Sequence, residues 1–495
     1  MRGYNHIGFL LKSSAVRGSV LIPKYYNPEI NAHLDSLRHT HDLVLLGELI
    51  HEGHIQAATG DEIGKMAYGT GPIPFIRTSD ISNWEIKADP KQGVSEAIYE
   101  QYASKQRVRP GDLLFVRDGT YLIGAACLLT EADSKILYQS HILKFRVAAE
   151  AMVSSPLLLA LLSSPIVRKQ IRAKQFTADI IDTIGNRYDE LILPLPRHSE
   201  IRSKIEKAVW AVVHDRVGLR ERLRRIPLWA QGLMPNLSAE LPDIDNDQVE
   251  PSGNSGFIIQ YDKIRSNIFI PRYYDPVVDE GLRNLSDTHE LVSISDLVKK
   301  GVLAFDTGVE VGKMAYGTGS VPFIRTSDLS NWELKTDPKQ SVSEHLYDQF
   351  KDKLDMRAED LFVVRDGTYL VGTSCILTEH DTHILYCGGL YKIRVKKKDQ
   401  LDPYLLLSLL NCPIVKRQMR AKQFTRDVID TLGKRIFEII LPIPKDKGLQ
   451  ENIARETRET VLARVALRDK ARQISLDVEG ITAPAEEEKE LLGTI

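Results

Sequence analysis

The chain is poor in cysteine. Its 495 residues hold four, Cys127, Cys375, Cys387 and Cys412, and none forms a C-x-x-C pair. Neither a disulfide framework nor a zinc site follows, and reduced thiols in a cytoplasmic protein are expected. Long hydrophobic runs are also missing. The densest, Leu157 to Leu162, is one or two helical turns, far short of the ~20 apolar residues that a membrane span needs. The opening residues Met1-Arg2-Gly3-Tyr4-Asn5-His6 lack a long apolar core and a small-residue cleavage site, so no signal peptide is expected. Neither sign of charge is in excess: 65 Lys+Arg against 67 Asp+Glu give a net charge of -2. That excludes a uniformly basic nucleic-acid coat and leaves room for a local basic face. What the chain does have is core material, with 43% hydrophobic residues against 27% charged, which argues against wholesale disorder.

Catalytic motifs are absent too. Gly60-Asp-Glu-Ile-Gly64-Lys65-Met66 is one residue short of a phosphate loop between its glycines, and Met66 stands where a Ser/Thr would bind magnesium. No G-x-G fingerprint follows a strand, and Asn27-Pro28 is not the Asn-Pro-Pro-aromatic signature of amino-methyltransferases. The chain itself is therefore not expected to bind S-adenosylmethionine. There is no G-x-S-x-G elbow and no H-E-x-x-H pair. One enzymatic alternative stays open, a magnesium-dependent DNA nuclease using Asp80, Glu85 and Lys87 with Asp328, Glu333 and Lys335.

The strongest positive signal is an internal repeat. Gly64 to Trp84 returns as Gly312 to Trp332 with 18 of 21 positions identical, and Val116 to Gly124 returns as Val364 to Gly372 with one change. Arg172 to Thr177 returns as Arg420 to Thr425, and the offset is 248 each time (312 − 64, 364 − 116, 420 − 172). A period this long is a duplicated domain rather than a solenoid, and two copies pack most simply about a pseudo-twofold axis. The boundaries read as copies over 1–196 and 255–444, long helices over 197–230 and 445–481, a linker over 231–254 and a flexible acidic tail over 482–495.

Within each copy, β-rich runs such as Ile73–Ile76 and Leu113–Val116 precede helical stretches, a Leu-Pro-x-Pro strand and a long helix, which predicts a mixed α/β (α+β) fold. The first long helix carries Ile201, Ile205, Ala208, Val212, Leu219, Leu223 and Ile226 at alternating four- and three-residue steps. Arg216 interrupts that stripe, and Pro227 is expected to end the helix.

The binding chemistry is better represented than the catalytic. Arg77, Thr78, Ser79 and Asp80 place a guanidinium, two hydroxyls and a carboxylate just after an apolar strand, with Asn83 next to Trp84 beyond. Arg325, Thr326, Ser327, Asp328 and Asn331 repeat the set. Arg and Asn can read base edges, and hydroxyls take phosphates. Arg117, Thr120 and Tyr121, with Arg365, Thr368 and Tyr369, sit on a Gly-containing turn after a strand. A stretch read as one helix from Ile166 to Arg187, and its partner Ile414 to Arg435, carry net charges of +3 (five minus two) and +5 (seven minus two). These stripes contain Lys174, Gln175 and Thr177, unchanged as Lys422, Gln423 and Thr425. Lys65 and Tyr68, with Lys313 and Tyr316, complete the DNA-binding candidates. No metal site and no catalytic residue is expected on the leading reading.

These motifs resemble, in their doubled order, the specificity (S) subunit of type I restriction-modification systems, or a related target-recognition subunit of a methylation-based defence system. The resemblance is carried by the Phe-Ile-Arg-x-x-Asp strand end, Gly111 to Thr120, Gln175 to Gly185 with Gln423 to Gly433, and the Leu-Pro-x-Pro strand before a helix. It implies two target-recognition domains separated by an antiparallel pair of spacer helices, each gripping half of a bipartite double-stranded DNA site. It implies no catalysis by this chain. The implied partners are two DNA adenine methyltransferase (modification) subunits, which would bind the S-adenosylmethionine, and a restriction/translocase subunit in some complexes. Because the copies are so alike, an inverted-repeat target is expected. Helices of about 28 residues span roughly 42 Å, about one turn of DNA.

Overall fold

The computed structural model describes residues 9–17, 20–90, 92–119, 122–178, 181–241, 257–265, 268–336, 338, 340–367, 370–426 and 429–481. The fold mixes helix and strand. Six helices of the first half, α1 (Pro28–Leu37), α2 (Leu46–His51), α3 (Glu96–Gln106), α4 (Ser155–Ser163), α5 (Pro165–Lys174) and α6 (Ser199–Ala230), recur in the same order in the second. There they are α7 (Pro276–Leu285), α8 (Ile294–Lys299), α9 (Glu344–Leu354), α10 (Pro403–Leu410), α11 (Pro413–Lys422) and α12 (Lys447–Asp477).

Local chemistry sets these boundaries. Asn27 caps α1 by accepting from the Glu29 amide at 3.0 Å, and Pro28 supplies the first helical φ. Asp275 and Pro276 do the same for α7. Pro165 stops α4 and opens α5, so the Leu157–Leu162 run becomes one short helix buried on every side.

Each half builds a four-stranded antiparallel sheet. In the first half its order is Ile55–Thr59, Ile142–Val147, Leu113–Val116, Ala126–Leu128. A second, three-stranded sheet pairs Ile73–Ile76 antiparallel to Gly93–Val94 and parallel to Leu137–Tyr138. His41–Leu45 pairs antiparallel with Ile192–Pro196, tying the start of the half to its end.

Two sequence expectations about the helices need correction. The stretch from Ile166 to Arg187 is not one helix. α5 ends at Lys174, a hairpin of Phe176–Ala178 and Ile181–Thr183 follows, and a 3-10 turn covers Gly185–Glu190. The β-branched Thr177, Ile181 and Thr183 favour strand over helix there. Pro227 does not end α6, which runs on to Ala230. Proline in the last turn removes one amide donor, while its own carbonyl still accepts from the Gln231 amide at 3.0 Å.

α6 and α12 run antiparallel along each other, and each buries its two ends in different halves. Ile205, Val209 and Val212 of α6 share the first core with Leu467, Ala471 and Ile474 of α12. Leu223, Ile226 and Ala230 share the second core with Ile453, Ala454 and Val461. The exchange is closed by hydrogen bonds at equivalent places. Glu479 Oε1 accepts from the Ile166 amide at 2.7 Å, and Gln231 Oε1 accepts from the Ile414 amide at 2.9 Å. His41 Nε2 lies 2.7 Å from the Val478 carbonyl, and His289 Nε2 lies 3.1 Å from that of Ala230. Equivalent contacts therefore recur in both halves. Residues 231–241, expected as linker, are partly anchored: Met234 is buried and Arg225 donates to the Leu237 and Ala239 carbonyls. The rest of the linker to 254 and the tail 482–495 lie outside the described residues.

Candidate nucleic-acid interface

The strand Ile73–Ile76 delivers Arg77 to a short 3-10 turn, Thr78–Asp80. Asp80 does not face outward. It is buried, and its Oδ2 accepts from the Arg77 amide at 2.9 Å, holding the turn shut. Burial raises its carboxyl pKa, opposed by Lys87. Asp328 holds the equivalent turn through the Arg325 amide at 2.8 Å. These two residues therefore shape the loop, a correction to their expected place against DNA. Arg77, Thr78, Ser79, Arg325, Thr326 and Ser327 stay partly accessible along the same turns.

Lys65 and Lys313 are exposed, each beside a methionine (Met66, Met314) that projects into solvent. Tyr68 stacks on Phe75 with centroids 5.6 Å apart, and the Arg77 guanidinium sits 5.8 Å from the Tyr68 ring centre. Tyr316 packs on Phe323 likewise at 5.6 Å. This gives each half a basic–aromatic patch at the end of its three-stranded sheet.

A second patch surrounds Asp118. Arg117 donates to its Oδ2 through Nε at 2.9 Å and Nη2 at 2.7 Å, and His141 Nδ1 lies 3.0 Å away. Thr183 of the hairpin donates to the other oxygen. Burial alone would push the Asp118 carboxyl up, but hydrogen bonds from His141, Arg117 and Thr183 outweigh it and hold the group at about 2. The same contact raises the His141 imidazole pKa. In the second half Arg365 and Thr431 clamp Asp366, and Gly389 replaces the histidine. Thr120, Tyr121, Thr368 and Tyr369 fall outside the described residues, as does the side chain of Thr177.

The hairpin carries this patch on to the C-terminus of α5. Gln175 is buried and donates to Asp182 at 2.9 Å, and Gln423 to Asp430 at 2.7 Å, so both glutamines brace the hairpin rather than project from it. Thr425 is exposed and donates to Asp430 at 2.6 Å. Lys174 pairs with Glu190 at 2.8 Å and lies 4.5 Å from the Tyr25 ring centre, and Lys422 repeats this with Glu438 at 3.2 Å and Tyr273 at 4.2 Å. These two lysines are mostly shielded, not the open cations expected.

Sequence reasoning missed what joins them. The Arg187 guanidinium lies 4.1 Å from the Phe176 ring centre, with exposed Lys24 near it, and Arg435, Phe424 and Arg272 form the matching group. Burial and a hydrogen bond to Glu190 push the Tyr25 phenol up to about 12. The pair Tyr25-Tyr26, repeated as Tyr273-Tyr274, was a usable signal, but the ring partners Phe176 and Phe424 lie about 150 residues further along the chain. Cations interleaved with aromatic rings suit backbone phosphates and stacked bases.

Asn83 and Asn331 belong elsewhere. They sit at the tips of the hairpins Ile81–Ile86 and Leu329–Leu334 and cross from one half to the other. Asn83 Oδ1 accepts from the Thr336 amide, and Asn331 Oδ1 from the Ala88 amide, both at 2.9 Å. Their expected DNA contact is corrected to a contact between the halves.

Beneath these tips lie Glu85 and Glu333, both buried, with Arg216 and Arg464, both fully buried. Arg216 Nη1 donates to Glu85 at 3.2 Å and to Glu333 at 2.7 Å, and Arg464 Nη2 donates to Glu333 at 3.0 Å and also to Glu85. Although burial opposes it, the Glu333 pKa is lowered, chiefly by the Arg216 and Arg464 charges. The nuclease alternative finds no support here. Glu85 and Glu333 are clamped by arginines inside the molecule, and among the described residues no cluster of three His, Cys, Asp or Glu side chains could hold a metal ion. Burial lowers the partly exposed Lys335 amine to about 8 against the opposing pull of Asp328.

No helix among the described residues is long and apolar enough to cross a membrane. No protein-family model and no curated protein matches the chain. Among solved structures, the chain is similar to the type I restriction-modification system S subunit from M. genitalium, at 10% identity and TM-score 0.33 over 89% of this chain and 96% of that one. It is also similar to the HsdS subunit from Thermoanaerobacter tengcongensis, at 15% identity and TM-score 0.27 over 89% and 97%. A chain from a structure of a type I restriction-modification system, described for its complex assembly and conformational transition, matches at 15% identity and TM-score 0.26 over 89% and 96%.

Proposed function

We infer that this protein is a sequence-specific DNA-recognition subunit of a type I restriction-modification or related methylation-based system. The single observation that carries the reading is the recurrence of two like basic–aromatic patches on one chain. Each half presents Lys65/Lys313, Arg77/Arg325 and Arg117/Arg365 on its turns, next to the Lys24–Arg187 or Arg272–Arg435 cluster. Two such heads related by a twofold axis match the dyad of duplex DNA, so the target is a bipartite inverted repeat. The halves act as target-recognition domains and α6 with α12 as the spacer pair.

The chain does no chemistry of its own. It places two DNA adenine methyltransferase subunits, which bring S-adenosylmethionine, and in some complexes a restriction subunit, onto the site in the cytoplasm. Genomic neighbours supply one check, since an adjacent adenine methyltransferase gene is expected. The biochemical test is selection of random duplexes by the purified chain. Recovery of one inverted repeat with a fixed gap supports the reading, while two unrelated half-sites would reject the inverted-repeat element of it.

A further inference from the structure

The two halves touch directly, not only through the helices. Two short hairpins meet on the twofold axis, and four charges converge beneath them, one glutamate from each half and one arginine from each long helix. Each arginine reaches both glutamates, so every charge is shared across the axis. A buried ionic group is a poor device for stability, because desolvation consumes most of the attraction. This one leaves Glu85 Oε2 and Glu333 Oε2 without a hydrogen bond among the described residues. Its merit is directional, since only one relative placement of the halves brings all four charges and both asparagine crossings into register.

We propose that this joint, built from Glu85, Glu333, Arg216, Arg464, Asn83 and Asn331, fixes the distance and angle between the two reading heads and so selects the gap between half-sites. The proposal rests on the DNA-reading function above. The six are positioning residues, and none of them touches DNA. One added base pair moves a half-site by about 3.4 Å along the duplex and rotates it by about 35°. A locked joint cannot follow that change, whereas a loosened one can.

The test uses the full chain and two variants. Asn83→Gly with Asn331→Gly removes the crossings gently, because both asparagines sit at φ 50°, a conformation glycine adopts freely. Glu85→Gln with Glu333→Gln removes the charge convergence, and thermal unfolding reports whether it still folds. The first readout needs no DNA. Spin labels at Lys65→Cys and Lys313→Cys give the head-to-head distance distribution, which is narrow in the parent and broad in the asparagine variant. The second compares affinity for the selected repeat with its gap changed by one base pair either way. The parent discriminates about tenfold or more, and the variant about threefold or less. A folded asparagine variant with an unchanged distance distribution, or with unchanged gap discrimination, overturns the proposal. If the parent binds no DNA, the functional reading fails, and the distance measurement still decides whether the joint is rigid.

Discussion

Replacing Arg216 by methionine removes one of two arginines that between them balance two buried glutamates. Arg464 is left facing Glu85 and Glu333 alone, with one negative charge in excess. Stranding a buried charge costs about 3–5 kcal/mol. The exchanged ends of α6 and α12 require the halves to melt together. With an unfolding entropy of about 2.1 cal/mol/K per residue, 495 residues give about 1 kcal/mol/K, so the melting temperature falls by about 3–5 °C. Adding Glu333→Gln restores the balance. The double variant is therefore less destabilised than the sum of the singles, with a coupling of at least about 1 kcal/mol. Calorimetry or urea unfolding of the parent, both singles and the double closes the cycle. A single-variant loss below about 1 kcal/mol, or strict additivity, refutes the shared-charge description.

Four further outcomes are expected. Lys65→Ala with Lys313→Ala weakens binding to all duplexes alike and reduces the salt slope by about 2, as loss of two phosphate contacts requires; a change confined to one sequence would contradict this. Arg77→Ala relaxes preference at one base position by about 1–3 kcal/mol, and equal loss on every sequence would make it a phosphate contact. The His141 imidazole titrates above 6.5 in the folded protein because Asp118 favours its charged form, so its contribution to stability is complete below 6.5 and fades as pH rises through the folded pKa. Proton NMR of Asp118→Asn should return that titration toward 6.5, and no movement would rule out the pairing. Trp84→Phe deletes the indole bond to Ser163 Oγ at 2.9 Å in a buried setting, at a cost of about 1–3 kcal/mol in urea unfolding, which a neutral result would contradict.

Much of the architecture was legible in the chain because it is written twice. Ile73–Ile76 and Leu113–Val116 occupy the strands their β-rich, apolar content predicts, and the leucine run and its prolines mark α4 and α5. What could not be read was set by contacts far apart in sequence. Arg216 looked like a flaw in an apolar stripe, since its partners Glu85 and Glu333 lie 131 and 117 residues away. Asn83 looked like a base-reading side chain, yet its partner Thr336 belongs to the other half, 253 residues on. Lys174 looked like an open cation because Glu190 reaches it only after the chain has doubled back through the hairpin. In each case local composition was read correctly, and tertiary pairing decided the role.

The central claim is that two matched faces on one chain read two halves of one DNA site. Selection from random duplexes with the purified full-length chain, repeated at two salt concentrations, tests it most directly. The account predicts enrichment of a single inverted repeat with one fixed gap and an affinity that drops steeply as salt rises. Failure to enrich any sequence, together with salt-insensitive binding, would contradict it.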